Sequence, residues 1–266
     1  MARMFIFGLG YTARRISDAL EARGWQVDAT GTAGNIDFDD PERVRMALDR
    51  ATHILSCVPP TGVPGGDDVL ATYGGIIAAA PAIWRGYLSS SGVYGDAGGA
   101  WVDESAPVGG GRRSARAAAD ARWLAQGARV FRLPGIYGPG RSALDRVREG
   151  KANRIDLPEH VFSRIHVDDI VSGVVAAIER SAPPGAYNLA DDLPCSQNAV
   201  IEEAARLLGC DPPPLLALEE AGLSPIARGF YAENRRVANG RAKRVLGWRP
   251  RYPTYREGLA AIRAPA

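Results

Sequence analysis

Three consecutive serines stand directly after an apolar segment in the first half of the chain. The segment 84–88 reads WRGYL, and Ser89, Ser90 and Ser91 follow it. A short apolar and aromatic run is typical of a buried strand, and hydroxyls at its carboxyl end can donate hydrogen bonds to a carbonyl or hydroxyl group. We therefore predict that Ser90 and Ser91 are catalytic residues that orient such a group of a substrate.

A second signal lies at the start of the chain, where the run MFIF is followed by Gly8, Gly10 and Ala13 at Gly-x-Gly-x-x-Ala spacing. Small residues at these positions allow a tight turn, the approach of a pyrophosphate to the backbone, and close packing of the next helix on the strand. The free N–H groups of that helix, around Tyr11 and Thr12, would face the phosphates. The pattern predicts a dinucleotide site, and a plain strand-to-helix turn is the alternative.

The end of the second predicted strand, residues 26–30, bears on the choice of cofactor. An acidic residue at this tip binds the adenosine ribose and selects NAD, whereas its absence admits the 2′-phosphate of NADP. The tip carries Thr30 and Thr32, and Asp28 lies too early in the strand for that role. This favours NADP over NAD, although no arginine stands nearby in the sequence. Asp37 either meets the adenine amino group or is a turn carboxylate.

These groups need a scaffold that brings the ends of several strands together. After the second strand we predict a short strand at 35–41, a helix with Asp40 as N-cap and Pro41 at its first position, and a fourth strand at 52–60. The alternation predicts an α/β fold with a Rossmann-type, doubly wound parallel sheet. The loop that ends the fourth strand then lies beside the glycine turn and adds three cofactor-binding candidates, Cys57, Val58 and Pro59.

Further along the chain the periodicity predicts one loop and several helices. They are a Gly/Pro loop at 61–68 and helices at 69–80, 114–126, 143–149, 165–180 and 196–208.

Motifs in the second half of the chain, together with the serines, resemble a known family. The segments SSGVYG at 90–95, RLPGIYGPG at 132–140, RIHVDDI at 164–170 and GAYNLADD at 185–192 follow one another in family order. The pattern resembles the extended branch of the short-chain dehydrogenase/reductase superfamily, the NAD-dependent epimerase/dehydratase family. The resemblance covers nearly the whole chain.

The resemblance implies site residues and a second lobe. Ser90 stands at the position of the family's catalytic Ser/Thr, and Pro134, Gly135 and Ile136 lie in the turn beside the nicotinamide. The resemblance also implies an NAD(P)-binding domain of residues 1–140 and 160–190. A small, discontinuous substrate lobe would consist of residues 141–159 and 191–266.

One departure from the family pattern concerns its general acid. The family carries a Tyr four residues before a Lys that lowers the pKa of the phenol, so that it can exchange a proton with substrate. Arg112 and Arg116 occupy these positions. A guanidinium keeps its proton, so Arg112 is assigned to substrate binding and Arg116 to a cofactor ribose or phosphate. Tyr94 and Tyr137 are the candidate replacement phenols, and a structural role explains each of them equally well. The chain thus resembles atypical members that keep the fold but lack the catalytic tetrad.

Further substrate contacts are implied by the same resemblance. Arg235 and Arg236 resemble a family segment in which an Arg meets the phosphate of a nucleotide-linked sugar. An exposed arginine pair on the surface is the alternative. His166 is the third candidate for substrate binding.

The composition excludes several classes of partner. Lys plus Arg number 32 against 30 Asp plus Glu, so the charge balance suggests neither nucleic acid nor an anionic membrane. No apolar run is long enough to span a bilayer. Cys57, Cys195 and Cys210 lack metal-type spacing, so we expect no metal site and reduced thiols in a cytoplasmic protein. A small-molecule substrate is the expected partner, and a homodimer is left open.

Two functions of different classes follow. The first is an atypical NAD(P)-dependent epimerase/dehydratase or reductase that acts on a sugar, nucleotide-linked or free, or on a small carbonyl or hydroxyl compound. The alternative is a non-catalytic NADP(H)-binding sensor, which Arg112 supports. A pocket lined by Ser90, Tyr94, Tyr137 and His166 would favour the enzyme, whereas an open crevice with an exposed apolar patch would favour the sensor.

Overall fold

Six parallel strands form the central sheet of the computed structural model, which describes residues 2–61 and 66–263. The strands of this part of the chain are β1 (Arg3–Phe7), β2 (Gln26–Ala29), β3 (His53–Ser56), β4 (Trp84–Ser90), β5 (Trp101–Val102), β6 (Arg129–Leu133), β7 (Gly135–Tyr137), β8 (Arg154–Ile155), β9 (Arg164–His166), β10 (Gly185–Asn188), β11 (Leu215–Leu216) and β12 (Arg236–Val237). The helices are α1 (Tyr11–Glu21), α2 (Pro41–Leu48), α3 (Asp68–Ala79), α4 (Ser114–Ala125), α5 (Ala143–Arg148), α6 (Val167–Glu179), α7 (Gln197–Leu208), α8 (Pro225–Phe230), α9 (Gly240–Leu246) and α10 (Tyr255–Arg263).

The sheet has the strand order β10-β6-β4-β3-β1-β2. The chain therefore leaves β1 towards one edge, forms β2, and returns to form β3 on the other side of β1. In parallel sheets such a reversal opens a crevice at the carboxyl ends of the strands, where ligands bind. The order confirms the predicted α/β, Rossmann-type doubly wound fold.

Alternating residues of β1 build a core on each face of the sheet. Met4 and Ile6 belong to a buried cluster with residues of α1 and α6, whereas Phe5 and Phe7 belong to a second cluster with residues of α2, α3 and α4. Each fully buried side chain of this size contributes about 1.5–3 kcal/mol of apolar burial. Helices on both faces thus hold β1 and the turn that follows it in place.

A third apolar cluster lies outside the central sheet. Leu144 of α5, Ile201 of α7 and Leu259 of α10 meet there with Tyr137 and Tyr255. Most of these residues come from segments predicted to form the substrate lobe, and the predicted domain boundaries stay a prediction. Among the helices of the described ranges, none has both the length and the apolar character that crossing a bilayer requires.

One predicted element is wrong, and another begins later than predicted. Residues 35–41 form no strand, because the Asn35 side chain accepts the N–H of Ala29 at 2.8 Å and donates to Asp28 at 2.8 Å. These local bonds turn the chain, so the predicted fourth strand is β3. The next helix begins as predicted: Asp40 accepts the N–H of Arg43 at 3.1 Å, with Pro41 at the first position.

The helix predicted over 165–180 begins later, because Arg164–His166 pairs with β7 as a short parallel strand. The ring of His166 then accepts the N–H of Asp168 at 3.2 Å and caps α6. Of the predicted Gly/Pro loop, residues 62–65 lie outside the described residues.

Candidate functional site

A cleft of about 1040 Å³ lies at the carboxyl edge of the central sheet. Its floor includes Gly8, Cys57, Ser90 and Leu133, which stand at or just after the ends of β1, β3, β4 and β6. Residues of α5, α7 and α10 line the opposite side. A bound molecule would therefore lie between the sheet and the third apolar cluster.

The glycine turn forms one end of this cleft. Gly8 has a φ of +84°, and its N–H donates to the Thr30 hydroxyl at 3.2 Å. No heavy atom lies within 4 Å of the position that a Cβ on Gly10 would occupy, and Gly10 caps α1 without a side-chain hydrogen bond. Tyr11, Thr12 and Ala13 of the first helical turn line the cleft, and that turn carries no acidic residue. The open backbone and the positive end of the helix dipole fit a pyrophosphate.

The far side of the glycine turn carries the residues predicted to meet the adenosine. Thr30 is buried and bonded to the turn, Thr32 is exposed, and Asp37 accepts the N–H of Asp39 at 3.1 Å as a turn carboxylate. None of the three lines the cleft. The structure also brings Arg43 here, because its Nη2 donates to the Asn35 carbonyl at 3.2 Å.

Sequence reasoning missed Arg43, which stands on α2 and not on the strand. A signal was present: Asp40 caps that helix, so the first helical turn must lie near the strand tip.

Loops from neighbouring strands complete the predicted cofactor side. The residues that line the cleft here are Cys57, Pro59, Pro134, Gly135 and Ile136. Val58 does not line it and packs against the core that contains Phe5 and Phe7. Burial raises the pKa of the Cys57 thiol, so this cysteine is a neutral wall residue.

One of the three serines is buried, and the other two line the cleft. Ser89 donates to the Asp120 carboxylate at 2.7 Å in the interior. Ser90 and Ser91 line the cleft, and the Ser90 oxygen accepts the N–H of Gly92 at 3.1 Å. Because a hydroxyl both donates and accepts, the Ser90 proton is available to a substrate oxygen.

The two candidate phenols are held in other interactions. Tyr94 does not line the cleft; its hydroxyl donates to Asn188 at 2.7 Å and accepts from Arg132 at 3.1 Å. Tyr137 lines the cleft, yet its hydroxyl is turned to the Thr254 carbonyl at 3.5 Å. Burial raises the pKa of both phenols, which is the opposite of what a general acid near neutral pH requires.

The arginines that replace the family's Tyr and Lys both line the cleft. Arg116 donates to the Tyr87 hydroxyl at 2.9 Å and to the Leu88 carbonyl at 3.4 Å, so its guanidinium is fixed at the end of β4. Arg112 lies over the Phe230 ring at 4.6 Å, and its Nε is 3.6 Å from Glu233. Both supply positive charge, and neither can move a proton.

The other predicted substrate contacts differ in position. Arg235 lines the cleft but donates to the Gly95 carbonyl at 2.6 Å and pairs with Glu233 at 3.0 Å. Arg236 does not line it and donates to the Gly99 carbonyl. His166 also does not line it, since it caps α6 and packs edge-on against Tyr137. The structure therefore does not bring His166, Arg236 or Tyr94 to the cleft that holds Ser90.

Comparison with known proteins finds relatives that match nearly the whole chain. No family model matches the chain. A solved, functionally unknown conserved protein from Silicibacter pomeroyi is 42% identical, covers 98% of each chain and superposes with a TM-score of 0.87. Protein YeeZ of Escherichia coli K12 is 26% identical over 95% of this chain and 97% of its own length. A Streptomyces 3-diazoavenalumate denitrifying reductase is 36% identical over 144 residues, which span 49% of this chain and 45% of that reductase.

More distant structures share the fold. Human epimerase family protein SDR39U1, solved with NADPH, has a TM-score of 0.78 at 16% identity and covers 98% of this chain and 99% of its own. The Bacillus anthracis dTDP-glucose 4,6-dehydratase, solved with NAD, has a TM-score of 0.78 at 17% identity. The match covers 99% of this chain and 96% of the dehydratase. The chain therefore belongs to one family with the conserved Silicibacter pomeroyi protein and has the fold of the short-chain dehydrogenase/reductase-type epimerases and dehydratases, as the sequence motifs implied.

Proposed function

We propose that this protein is an NADPH-dependent reductase of the short-chain dehydrogenase/reductase type that acts on a small carbonyl compound or a sugar. The observation that carries the proposal is the convergence of the uncapped glycine turn and the Ser90 hydroxyl on one cleft. Two of the structures with this fold were solved with NADPH or NAD, which supports a nicotinamide cofactor.

The residues of the cleft have distinct proposed roles. The turn from Gly8 to Ala13 would hold the pyrophosphate, and the bound cofactor would supply the hydride. Ser90 would donate a hydrogen bond to the carbonyl oxygen, and the fixed Arg116 charge would stabilise negative charge that develops there. The oxygen would take its proton through Ser90 from solvent in the cleft.

Reduction suits this site better than epimerisation or dehydration. The latter reactions begin by removing a proton from a substrate hydroxyl, which requires a base. The family's base position is Arg112 here, and Tyr94 and Tyr137 are bonded elsewhere. The partial match to a Streptomyces reductase supports the same choice. A nucleotide-linked sugar has less support, because Arg235 and Arg236 already bind backbone carbonyls.

NADP as the preferred cofactor has its own support. Both carboxylates near the end of β2 accept a local hydrogen bond, Asp28 from the Asn35 side chain at 2.8 Å and Asp37 from the N–H of Asp39 at 3.1 Å. The guanidinium of Arg43 lies beside the same loop. A cation beside this loop favours a 2′-phosphate.

The test is a calorimetric titration with NADPH and with NADH, followed by a scan for NADPH oxidation with small aldehydes, ketones and sugars. We expect NADPH to bind, and turnover to fall at least a hundredfold in Ser90→Ala without a change in NADPH affinity. Ser105→Ala is the matched control, because this exposed hydroxyl lies outside the cleft. Failure of both nucleotides to bind would contradict the proposal.

A sensor that binds NADPH without chemistry is the second candidate. The observation that favours it is Arg112 in the position of the general acid, with the nearby phenols held in other bonds. NADPH binding without turnover of any carbonyl compound would support the sensor over the reductase.

A further inference from the structure

A guanidinium that forms no hydrogen bond or ion pair within the described part of the chain lies beside Ser90. Arg113 is the N-cap residue of α4, lines the cleft and is partly buried. Its Cδ and Nε lie 2.4 and 3.0 Å from the point where a Cβ on Gly92 would stand, and the Ser90 oxygen lies 3.3 Å from the same point. The side chain of Arg113 therefore crosses over Gly92, next to the proposed reacting group.

The neighbouring arginines differ from Arg113 in having hydrogen-bond or ion-pair partners among residues 2–61 and 66–263. Glu233 forms ion pairs with Arg112 at 3.6 Å and with Arg235 at 3.0 Å, and Arg116 is bonded to Tyr87. Among the described residues, none forms a hydrogen bond or ion pair with the Arg113 guanidinium, which lies 5.5 Å from the centroid of the Phe230 ring and is near enough to Glu233 for the two charges to interact. Burial lowers the pKa of Arg113, the charges of Arg112 and Arg116 lower it further, and Glu233, which Arg112 and Arg235 share, offsets part of this. A surplus buried charge is unfavourable, and a bound anion would offset it.

An aromatic face accompanies this charge. The Phe230 ring lines the cleft with 44% of the residue exposed, and the Arg112 guanidinium lies over it at 4.6 Å. The ring offers an apolar surface directly beside two planar cations. A ligand that suits both has a carboxylate or phosphate at one end and an apolar or aromatic body.

We propose that Arg113, with Arg112 beside it, binds a carboxylate or phosphate of the substrate, and that the body of the substrate packs on Phe230. The reductase would thus act on small anionic carbonyl compounds. This assignment rests on the proposed function, because it takes Ser90 as the reacting end of the cleft. It also makes Arg113, and not Arg235 or Arg236, the residue that recognises the anion.

The test uses three probes that differ only in the polar group on one ring: benzoate, phenyl phosphate and the neutral benzamide. Each is titrated calorimetrically into the free protein and into the protein saturated with NADPH. We expect one of the two anions to bind at least tenfold more tightly than benzamide, and the preferred anion identifies the substrate group. Arg113→Leu should weaken that anion roughly tenfold to a hundredfold, and Arg113→Lys should restore only part of the affinity, because an ammonium cannot bind two oxygens side by side.

Arg50→Leu is the control for the loss of one positive charge, since Arg50 is exposed and outside the cleft. Equal binding of benzamide and both anions, or an unchanged affinity in Arg113→Leu, would overturn the assignment. The titrations of the free protein test anion binding at Arg113 without the cofactor. A failure to bind NADPH would therefore contradict only the proposed function.

Discussion

The arginines at 112 and 116 change what each position can contribute to a reaction. In the family pattern these positions hold a phenol and an ammonium that together move a proton. Here Arg116 is fixed by the Tyr87 hydroxyl, and burial raises the pKa of that phenol to about 12. The pair therefore supplies positive charge to the cleft that Ser90 lines and does not exchange protons. Such a site stabilises an oxyanion but does not remove a hydroxyl proton, which is why we favour reduction.

A substitution at Gly10 can test cofactor binding without affecting the stability of the fold. A Cβ at this position would meet no atom within 4 Å, and the φ of Gly10 is −95°, which any residue tolerates. We expect Gly10→Ala to change the free energy of unfolding by less than about 0.5 kcal/mol in urea titrations. The same variant should raise the Kd for NADPH at least tenfold, because the new methyl group occupies the space into which a pyrophosphate would move.

Gly8→Ala is the contrasting variant. Gly8 has a φ of +84°, and a Cβ there would lie 2.8 Å from Val58 Cγ2. We expect the variant to be destabilised by about 1–2 kcal/mol or more in the same urea titrations.

If Gly10→Ala bound NADPH as tightly as the parent protein, the pyrophosphate would not lie on this turn.

Arg43 carries the expected preference for NADP. Its guanidinium is exposed beside the loop after β2, so it can approach a 2′-phosphate without breaking a buried bond. We expect Arg43→Leu to raise the Kd for NADPH about tenfold in calorimetric titrations and to leave the Kd for NADH unchanged. Arg45→Leu, on the same helix and paired with Asp49, serves as the control. Equal losses for both nucleotides would place Arg43 away from the 2′-phosphate.

At the scale of elements, one buried ion pair joins α4 to the sheet. Arg132 of β6 donates two hydrogen bonds to Asp120 of α4, at 2.8 and 3.1 Å, and Ser89 of β4 donates a third at 2.7 Å. The two charged side chains are 4% and 0% exposed. Because α4 carries Arg116 and follows Arg112 and Arg113, this pair positions the basic wall of the cleft.

Removing one partner of this pair should destabilise the protein strongly. Asp120→Ala leaves the Arg132 charge buried and uncompensated, so we expect a loss of about 3–5 kcal/mol in the free energy of unfolding, measured in urea. Asp103→Ala removes an exposed carboxylate and should change stability far less. A loss below about 1 kcal/mol in Asp120→Ala would show that the pair is not needed to hold α4.

Some of these elements can be predicted from local sequence, and others cannot. The β1 turn, the Asp40 cap and the strand that presents Ser90 follow from residues a few positions apart, and all three are found. The prediction of a strand at 35–41 is wrong because the Asn35 side chain forms a hydrogen bond with the nearby backbone. The setting of Arg113 depends on Phe230 and Glu233, and the contact of Arg112 with Glu233 joins residues 121 positions apart. No local pattern encodes such a pairing.

At the scale of the whole molecule, charge is distributed unevenly. The chain has a net charge of only +2, yet arginines from several elements line the cleft. The cleft residues of each sign are Arg112, Arg113, Arg116, Arg141, Arg146, Arg164 and Arg235 against Asp145, Glu149 and Glu233. A concave, positively charged surface attracts anions, which suits both a dinucleotide and an anionic substrate.

Two buried acids lie near the contact between the sheet and its C-terminal segments. Asp169 accepts the N–H groups of Arg251 and Tyr252, and Asp191 accepts the N–H of Leu193 at 3.3 Å. The second carboxylate oxygen of Asp191 has no partner among the described residues. Burial raises the pKa of Asp169 to about 6 and that of Asp191 to about 7.

These raised values predict how stability changes with pH. An aspartate in the unfolded chain has a pKa of about 3.9, so between about pH 4 and 7 the folded state holds more protons at Asp191 than the unfolded state. The contribution of Asp191 to stability therefore falls as the pH rises through this window. The histidines have the opposite effect on stability. Burial lowers the pKa of His53 to about 4, for example, so its contribution to stability rises as the pH rises towards 6.5.

The comparison of Asp191→Asn with the parent protein removes the histidine contributions, because both proteins contain the same histidines. The amide stays neutral, so we expect the variant to gain about 2 kcal/mol of stability relative to the parent between about pH 5.5 and pH 8. Urea titrations at the two pH values measure this gain, and Asp211→Asn, at an exposed position, should show none. A difference that stayed constant with pH would mean that Asp191 ionises in the folded protein as it does in the unfolded chain. The carboxylate would then have a partner or solvent that offsets its burial.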